Sequence, residues 1–113
     1  MSRPRPYYAG DEFPAPRLVD AAGTIFAVYE AGPASGRPVL LLHGWPEIAY
    51  CWKNVLPALA GAGYRAIAPD LKGFGLSDRP DEVRAYSAPR MADDIARLVT
   101  ALGHDQVVLA GPD

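Results

Sequence analysis

The chain has 113 residues, half of them hydrophobic, with 11 Lys and Arg against 13 Asp and Glu and a formal net charge of −2. That is the size and balance of a soluble globular protein of at most one domain. The basic residues are scattered among the acidic ones, so no stripe exists to track a phosphate backbone, and nucleic acid is not an expected partner.

Residues Met1 to Pro16 contain four prolines and no periodic apolar pattern, which predicts an extended arm lying on a surface. This N-terminus has no apolar segment of the kind a signal peptide needs. No run in the chain approaches the roughly eighteen apolar residues of a membrane span, so no membrane segment is expected and the cytoplasm is the default location. The remainder, residues 17–113, begins with "RLVDAAGTIFAVYEAG". Two β-forming runs separated by Ala-Ala-Gly predict an antiparallel hairpin ending at Gly32-Pro33. "PVLLLHG" is a continuous apolar run between Pro38 and Gly44, the mark of a strand buried on both faces of a parallel sheet.

"YCWKNVLPALAGAG" predicts a helix that places Trp52, Val55, Leu56 and Leu59 on one face and closes at Gly61-Ala62-Gly63, with Pro57 either kinking it or starting its second half. The single cysteine, Cys51, cannot form an internal disulfide. Lying in this helix with no histidine or basic group near it in sequence, it reads as a small core residue and not a reactive thiol. "YRAIAPD" is a short apolar strand, and "LKGFGLSDRPDEVRAY" a loop of glycines, proline and charges. In the second helix Ser87 is the N-cap, Pro89 lies in the first turn, and Met91, Ile95, Leu98, Val99 and Leu102 recur at helical spacing up to Gly103. "QVVLAG" is a further buried strand before Pro112-Asp113. Strand, helix, strand, helix, strand is the order of right-handed βαβ crossovers.

In open α/β sheets the active site forms beyond the carboxyl ends of the strands. Those ends carry His43-Gly44-Trp45-Pro46, then Pro69-Asp70 before "LKGFG", then Gly111-Pro112-Asp113. Three exits bearing Gly, Pro and polar residues would converge on one sheet edge. In the middle loop, Asp70, Lys72, Asp78 and Arg79 are read as caps and braces, with Gly73 and Gly75 supplying unusual backbone angles. "GFGLSD" is not a phosphate loop, because it lacks the Gly-Lys-Ser/Thr ending. His104, after the helix-closing Gly103, reads as a solvated turn histidine.

"HGWPE", "PDLKGFGLSDRP", "YSAPRMADDIARLVTALG" and "VVLAG-x-D", in this order, resemble α/β-hydrolases of the epoxide hydrolase and haloalkane dehalogenase group. The resemblance runs from Leu18 to Asp113 and covers the N-terminal part of that fold, as far as the nucleophile elbow. It implies an α/β-hydrolase sheet, mostly parallel, with an antiparallel N-terminal hairpin. It also implies that the Trp45 backbone N–H is one donor of an oxyanion hole, held in place by His43, Gly44 and Pro46, with a cis Trp45-Pro46 bond. Such a donor stabilises the negative oxygen of a tetrahedral intermediate. By the same resemblance His43 braces loops and is not the catalytic histidine, which lies further along in the family.

Gly111-Pro112-Asp113 matches the first three positions of the elbow, which makes Asp113 the implied nucleophile. A carboxylate can displace at an sp3 carbon to form an alkyl-enzyme ester. Pro112 departs from the His or Gln common before the nucleophile, and it removes a ladder hydrogen bond at a strand end.

The activity implied is opening of an epoxide to a vicinal diol through an ester on Asp113, without metal or cofactor, on a small-molecule substrate. A haloalkane or fluoroacetate-type dehalogenase is the alternative within the fold. Haloalkane dehalogenases often place Asn or Glu where this chain has Trp45, whereas the fluoroacetate type has an aromatic residue there. A non-catalytic fragment or binding protein is the alternative of another class. The second oxyanion donor, the catalytic histidine, its acidic partner and the cap tyrosines of the family have no counterparts in these 113 residues. The remaining hydrolase-core and cap polypeptide is therefore an expected partner, and the 113 residues alone are expected to be inactive.

Overall fold

Residues 13–112 are described by the structure, a computed structural model. The predicted hairpin pairs β1 (Arg17–Ala21) with β2 (Thr24–Ala31), in a register from Arg17 opposite Val28 to Ala21 opposite Thr24. Ala22 and Gly23 form the two-residue turn, both at positive φ, as a connection matching the twist of paired strands requires. Asp20 Oδ1 accepts the Gly23 N–H at 2.8 Å and holds that turn.

Three more strands, β3 (Pro38–Leu41), β4 (Arg65–Pro69) and β5 (Val108–Ala110), complete a five-stranded sheet of order β1-β2-β4-β3-β5. β2 meets β4 antiparallel, while β3 is parallel to both β4 and β5. Two helices make the crossovers, α1 (Val55–Gly61) from β3 to β4 and α2 (Ala88–Ala101) from β4 to β5. The first crossover steps along the sheet one way and the second steps back across β3. Two right-handed crossovers in opposite directions put their helices on opposite faces. This is the mixed sheet of the α/β-hydrolase class.

Side-chain alternation divides the core accordingly. Ala27, Tyr29, Val39, Leu41, Ala66 and Ala68 face α1 and pack with Leu56. Phe26, Val28, Leu40 and Ile67 face α2 and pack with Leu98. The alanines of β4 leave room on the first face for larger rings. Phe13 fills part of it, 4.9 Å from the Tyr29 ring and 5.3 Å from that of Tyr50. The end of the predicted surface arm is thus anchored in the core by Phe13, while residues 1–12 lie outside the described residues.

Both helices end in the same closure. In α2 the His104 N–H bonds Val99 O and the Gly103 N–H bonds Thr100 O; in α1 the Tyr64 N–H bonds Leu59 O and the Gly63 N–H bonds Ala60 O. These paired bonds satisfy carbonyls that a helix end leaves open. At the other end of α2, Ser87 accepts the Arg90 N–H as its cap, with proline in the first turn.

Three expectations are corrected. The single helix over Tyr50 to Gly63 is two pieces, a 3-10 helix Ala49–Trp52 and then α1. Pro57 sits in the first turn of α1, where an N–H has no intrahelical acceptor, so the helix starts beside it without being kinked. Cys51 is exposed and not in the core, because the 3-10 segment turns Ala49 inward and Cys51 outward. "QVVLAG" forms a strand but not a buried one. Val108 is 43% and Leu109 61% exposed, since β5 is an outer strand and neither helix covers it among the described residues. No helix of the described residues is long and apolar enough to cross a membrane.

Leu98, fully buried, is the point where α2 meets the sheet. Leu98→Ala is expected to lower unfolding stability by about 2–5 kcal/mol in chemical denaturation. Leu109→Ala, at the exposed edge, should stay within about 0.5 kcal/mol of the parent.

Candidate active site

The exits of β3, β4 and β5 lie at one edge of the sheet, and β3 is central among them. The Leu42 N–H still bonds Ala110 O at 2.8 Å, so β3 and β5 stay together one residue beyond the end of β3. The turn that follows is tight. The Glu47 N–H bonds Gly44 O at 2.8 Å, and Glu47 Oε1 accepts the Gly44 N–H at 3.3 Å. Inside that turn the Trp45–Pro46 bond is cis, as the resemblance implied, and the Trp45 side chain is 84% exposed.

His43 is buried and links two exits. Its Nε2 accepts the Leu71 N–H at 2.9 Å, and its Nδ1 lies 3.1 Å from Gly44 O. A backbone N–H can only donate, so Nε2 must be the bare nitrogen and Nδ1 carries the proton toward the carbonyl. The ring is therefore a neutral imidazole with both nitrogens engaged. Phe74 stands edge-on to it at 5.1 Å. His104, the other histidine of the chain, lies between α2 and β5 at the opposite edge of the sheet.

The exit of β4 is organised by Asp70, only 1% exposed. Its Oδ1 accepts the Ala49 N–H at 2.8 Å, and its Oδ2 accepts the Leu76 N–H at 3.1 Å and the Tyr29 hydroxyl at 3.3 Å. The loop then returns along β2. Ser77 Oγ accepts the Ala27 N–H, and Asp78 Oδ2 the Ile25 N–H. Lys72, read as one of the loop's braces, is buried and pairs with Asp94 of α2 beneath the Tyr86 ring. Asp94 was not singled out in the sequence, though a signal existed. It stands three residues after Met91 and four before Leu98, on the apolar stripe, where a lone carboxylate requires a partner.

The β5 exit meets the β3 turn directly, since a β-carbon on Gly44 would stand 2.9 Å from Pro112 Cγ. His43, Gly44, Trp45, Pro46 and Pro112 are thus brought to one place, and Asp113 lies outside the described residues. Cys51 is exposed as a residue, but partial burial of its thiol, with the charges of Glu47 and Asp70 adding to it, pushes that thiol up to about 11.

A family model described as the alpha/beta hydrolase fold matches residues 37–113, and the chain belongs to that family. Its curated relatives include epoxide hydrolase A of Mycobacterium tuberculosis, 43% identical over 100 residues, which are 88% of this chain and 31% of that protein. Epoxide hydrolase 2 of Siraitia grosvenorii is 46% identical over 86 residues, 76% of this chain and 27% of that one. Among solved structures, an epoxide hydrolase from Vigna radiata superposes with a TM-score of 0.82 at 40% identity, covering 87% of this chain and 31% of its own. One from an endophytic Streptomyces gives 0.83 at 41% identity, covering 91% and 30%. The chain spans less than a third of the length of each of these relatives.

Two outcomes follow from the Lys72–Asp94 pair and from Cys51. Asp94→Ala strands the Lys72 ammonium and should cost about 3–5 kcal/mol in denaturant unfolding, whereas Lys72→Met with Asp94→Leu should recover most of that loss. For Cys51, a thiol titrating near 11 holds only about one thiolate in a thousand at pH 8. Its reaction with a disulfide reagent should therefore be slow at pH 8 and rise about tenfold per pH unit toward 11. An inflection near the ordinary value of about 8.5 would contradict this.

Proposed function

We propose that these residues form the oxyanion-turn side of an epoxide hydrolase-like active site, with Asp113 as nucleophile and the Trp45 N–H as one oxyanion donor. The observation that supports this most directly is the contact of Gly44 with Pro112. It brings the residue before the proposed donor against the residue before the proposed nucleophile. Relatives named epoxide hydrolase, 43% and 46% identical, supply the substrate class.

In the first step an Asp113 carboxylate oxygen attacks one epoxide carbon. The carbon–oxygen bond of the ring breaks, and its electron pair goes to the oxygen, which takes a proton from an acid to become a hydroxyl. In the second step water, losing a proton to a base, attacks the ester carbonyl carbon. The carbonyl oxygen becomes an oxyanion held by the Trp45 N–H; on collapse the ester carbon–oxygen bond to the substrate breaks, and the departing oxygen takes the proton left on the added hydroxyl, which releases the diol and restores the carboxylate. His43 cannot be the base, because its ring nitrogens are both committed within the fold, and His104 is at the wrong edge. The acid, the base and the second oxyanion donor come from polypeptide outside these 113 residues, and no metal or cofactor takes part.

The test supplies the remaining hydrolase domain to the chain and offers an epoxide. Diol should form, and the isolated 113 residues should give none. With the water-activating base disabled, mass spectrometry should find a substrate adduct on Asp113, and Asp113→Asn should abolish both adduct and turnover. Full activity in Asp113→Asn would remove Asp113 from the mechanism. Halide release from a haloalkanoate with epoxides untouched would give the site to the dehalogenase reading.

A further inference from the structure

We propose that Asp70 is a positioning residue for the Trp45 amide, acting through the backbone on both sides of the cis turn. The inference rests on the reading of Trp45 as an oxyanion donor and adds to it the device that aims that donor. The turn is short, and it is gripped at each end by one of two consecutive residues. Ahead of Trp45, the His43 ring receives the Leu71 N–H at 2.9 Å; behind it, the Ala49 N–H is received by Asp70 Oδ1 at 2.8 Å. The residues carrying the donor thus have both ends referred to a single dipeptide at the exit of β4.

That dipeptide is itself fixed. The Asp70 N–H bonds Ala27 O at 2.9 Å, which joins it to the sheet, and its second carboxylate oxygen takes donors from the loop at Leu76 and from the core at Tyr29. A carboxylate suits this place because both of its oxygens accept and neither donates. An asparagine of the same shape would have to turn an NH2 toward one of those donors. Gly75 completes the fit. At φ 55°, its absent side chain leaves the space that the carboxylate fills, and a β-carbon there would stand 2.1 Å from Asp70 Oδ2. Gly75 therefore offers a second means of disturbing the carboxylate without removing it.

The kinetic consequence is specific. The oxyanion donor serves the hydrolysis of the ester and not its formation. Displacing the amide should slow the second step and leave the first, and in enzymes a misplacement of about 1 Å can cost up to roughly a hundredfold. With the remaining hydrolase domain supplied, single-turnover measurements on Asp70→Asn should show ester formation within about twofold of the parent per folded molecule. Ester hydrolysis should be slower by about tenfold or more, so that the adduct accumulates. Gly75→Ala should give the same pattern. Leu98→Ala, destabilised from the other face of the sheet, should alter neither step per folded molecule.

Equal slowing of both steps in Asp70→Asn and Gly75→Ala, or of neither, would overturn the proposal. The backbone is read independently of turnover by NMR of the 113-residue chain. Both variants should shift the Trp45 amide resonance and speed hydrogen exchange at Ala49. If the parent fails to open epoxides, the functional reading falls, and the positioning claim is decided by those amides. An unmoved Trp45 resonance with unchanged Ala49 exchange would sink it.

Discussion

A buried carboxylate sets the terms for the rest of this structure. Asp70 lies at the end of a strand in the middle of the sheet, where an unpaired charge would cost several kcal/mol. It is tolerated because three donors from three separate stretches of chain converge on it: Ala49 after the cis turn, Leu76 in the following loop and Tyr29 in β2. Hydrogen bonds to a charged acceptor contribute about 1.5–3 kcal/mol each, so the arrangement offsets its burial only when all three segments are in place. Its folding requirement and its order are therefore the same fact. The strand exits cannot drift independently without exposing a charge to an apolar interior.

The loop from Asp70 to Asp78 also solves a problem of sheet geometry. β2 has eight residues, but β4 pairs with it only from Val28 to Ala31. Between Ile25 and Ala27 its backbone would face no strand on that side. The loop supplies the missing partner, with the Asp70 N–H on Ala27 O, Ser77 Oγ on the Ala27 N–H, and Asp78 meeting both backbone groups of Ile25. A non-repetitive segment thus serves as a strand neighbour, which explains why "LSD" is buried at Leu76 and Ser77 despite its loop composition. Lys72 and Asp94 then tie the same loop to α2, so both faces of the sheet bear on the exit of β4.

What the sequence made legible, and what it did not, divides along a physical line. Alternation in β2 and β3 and the helical spacing from Met91 to Leu102 report local geometry, and local geometry determines which face a side chain takes. The hairpin, both crossovers and the convergence of strand exits could therefore be read directly. The destinations of polar atoms could not. Asp70 was readable as a brace, but nothing in its neighbourhood points to Ala49 or Tyr29, because those meetings depend on how β2, β3 and β4 register. Lys72 and Asp94 are 22 residues apart and meet only because α2 crosses the sheet at a particular height. Cys51 was misplaced because one helix was assumed where there are two, and a change of helix type rotates every later side chain. β5 was read as buried from composition alone, yet burial of a strand belongs to its neighbours, and Leu109 has too few of them among the described residues.

The same division bears on what these residues contribute chemically under the proposed reading. An amide aimed at a developing oxyanion is useful to the extent that it need not reorganise when the charge appears. A lone turn on a protein surface would not meet that condition, and Trp45, with its side chain largely in the open, looks at first like such a turn. The order comes from outside it. The neutral imidazole of His43 has its proton committed to Gly44 and its free nitrogen to Leu71, and Glu47 closes the turn upon Gly44 from the other side. Rigidity of the donor is thus borrowed from the buried network and not from packing of the indole. The Trp45 side chain stands in the open, while the chain just after the turn is held at the Ala49 N–H by Asp70, 25 residues beyond Trp45.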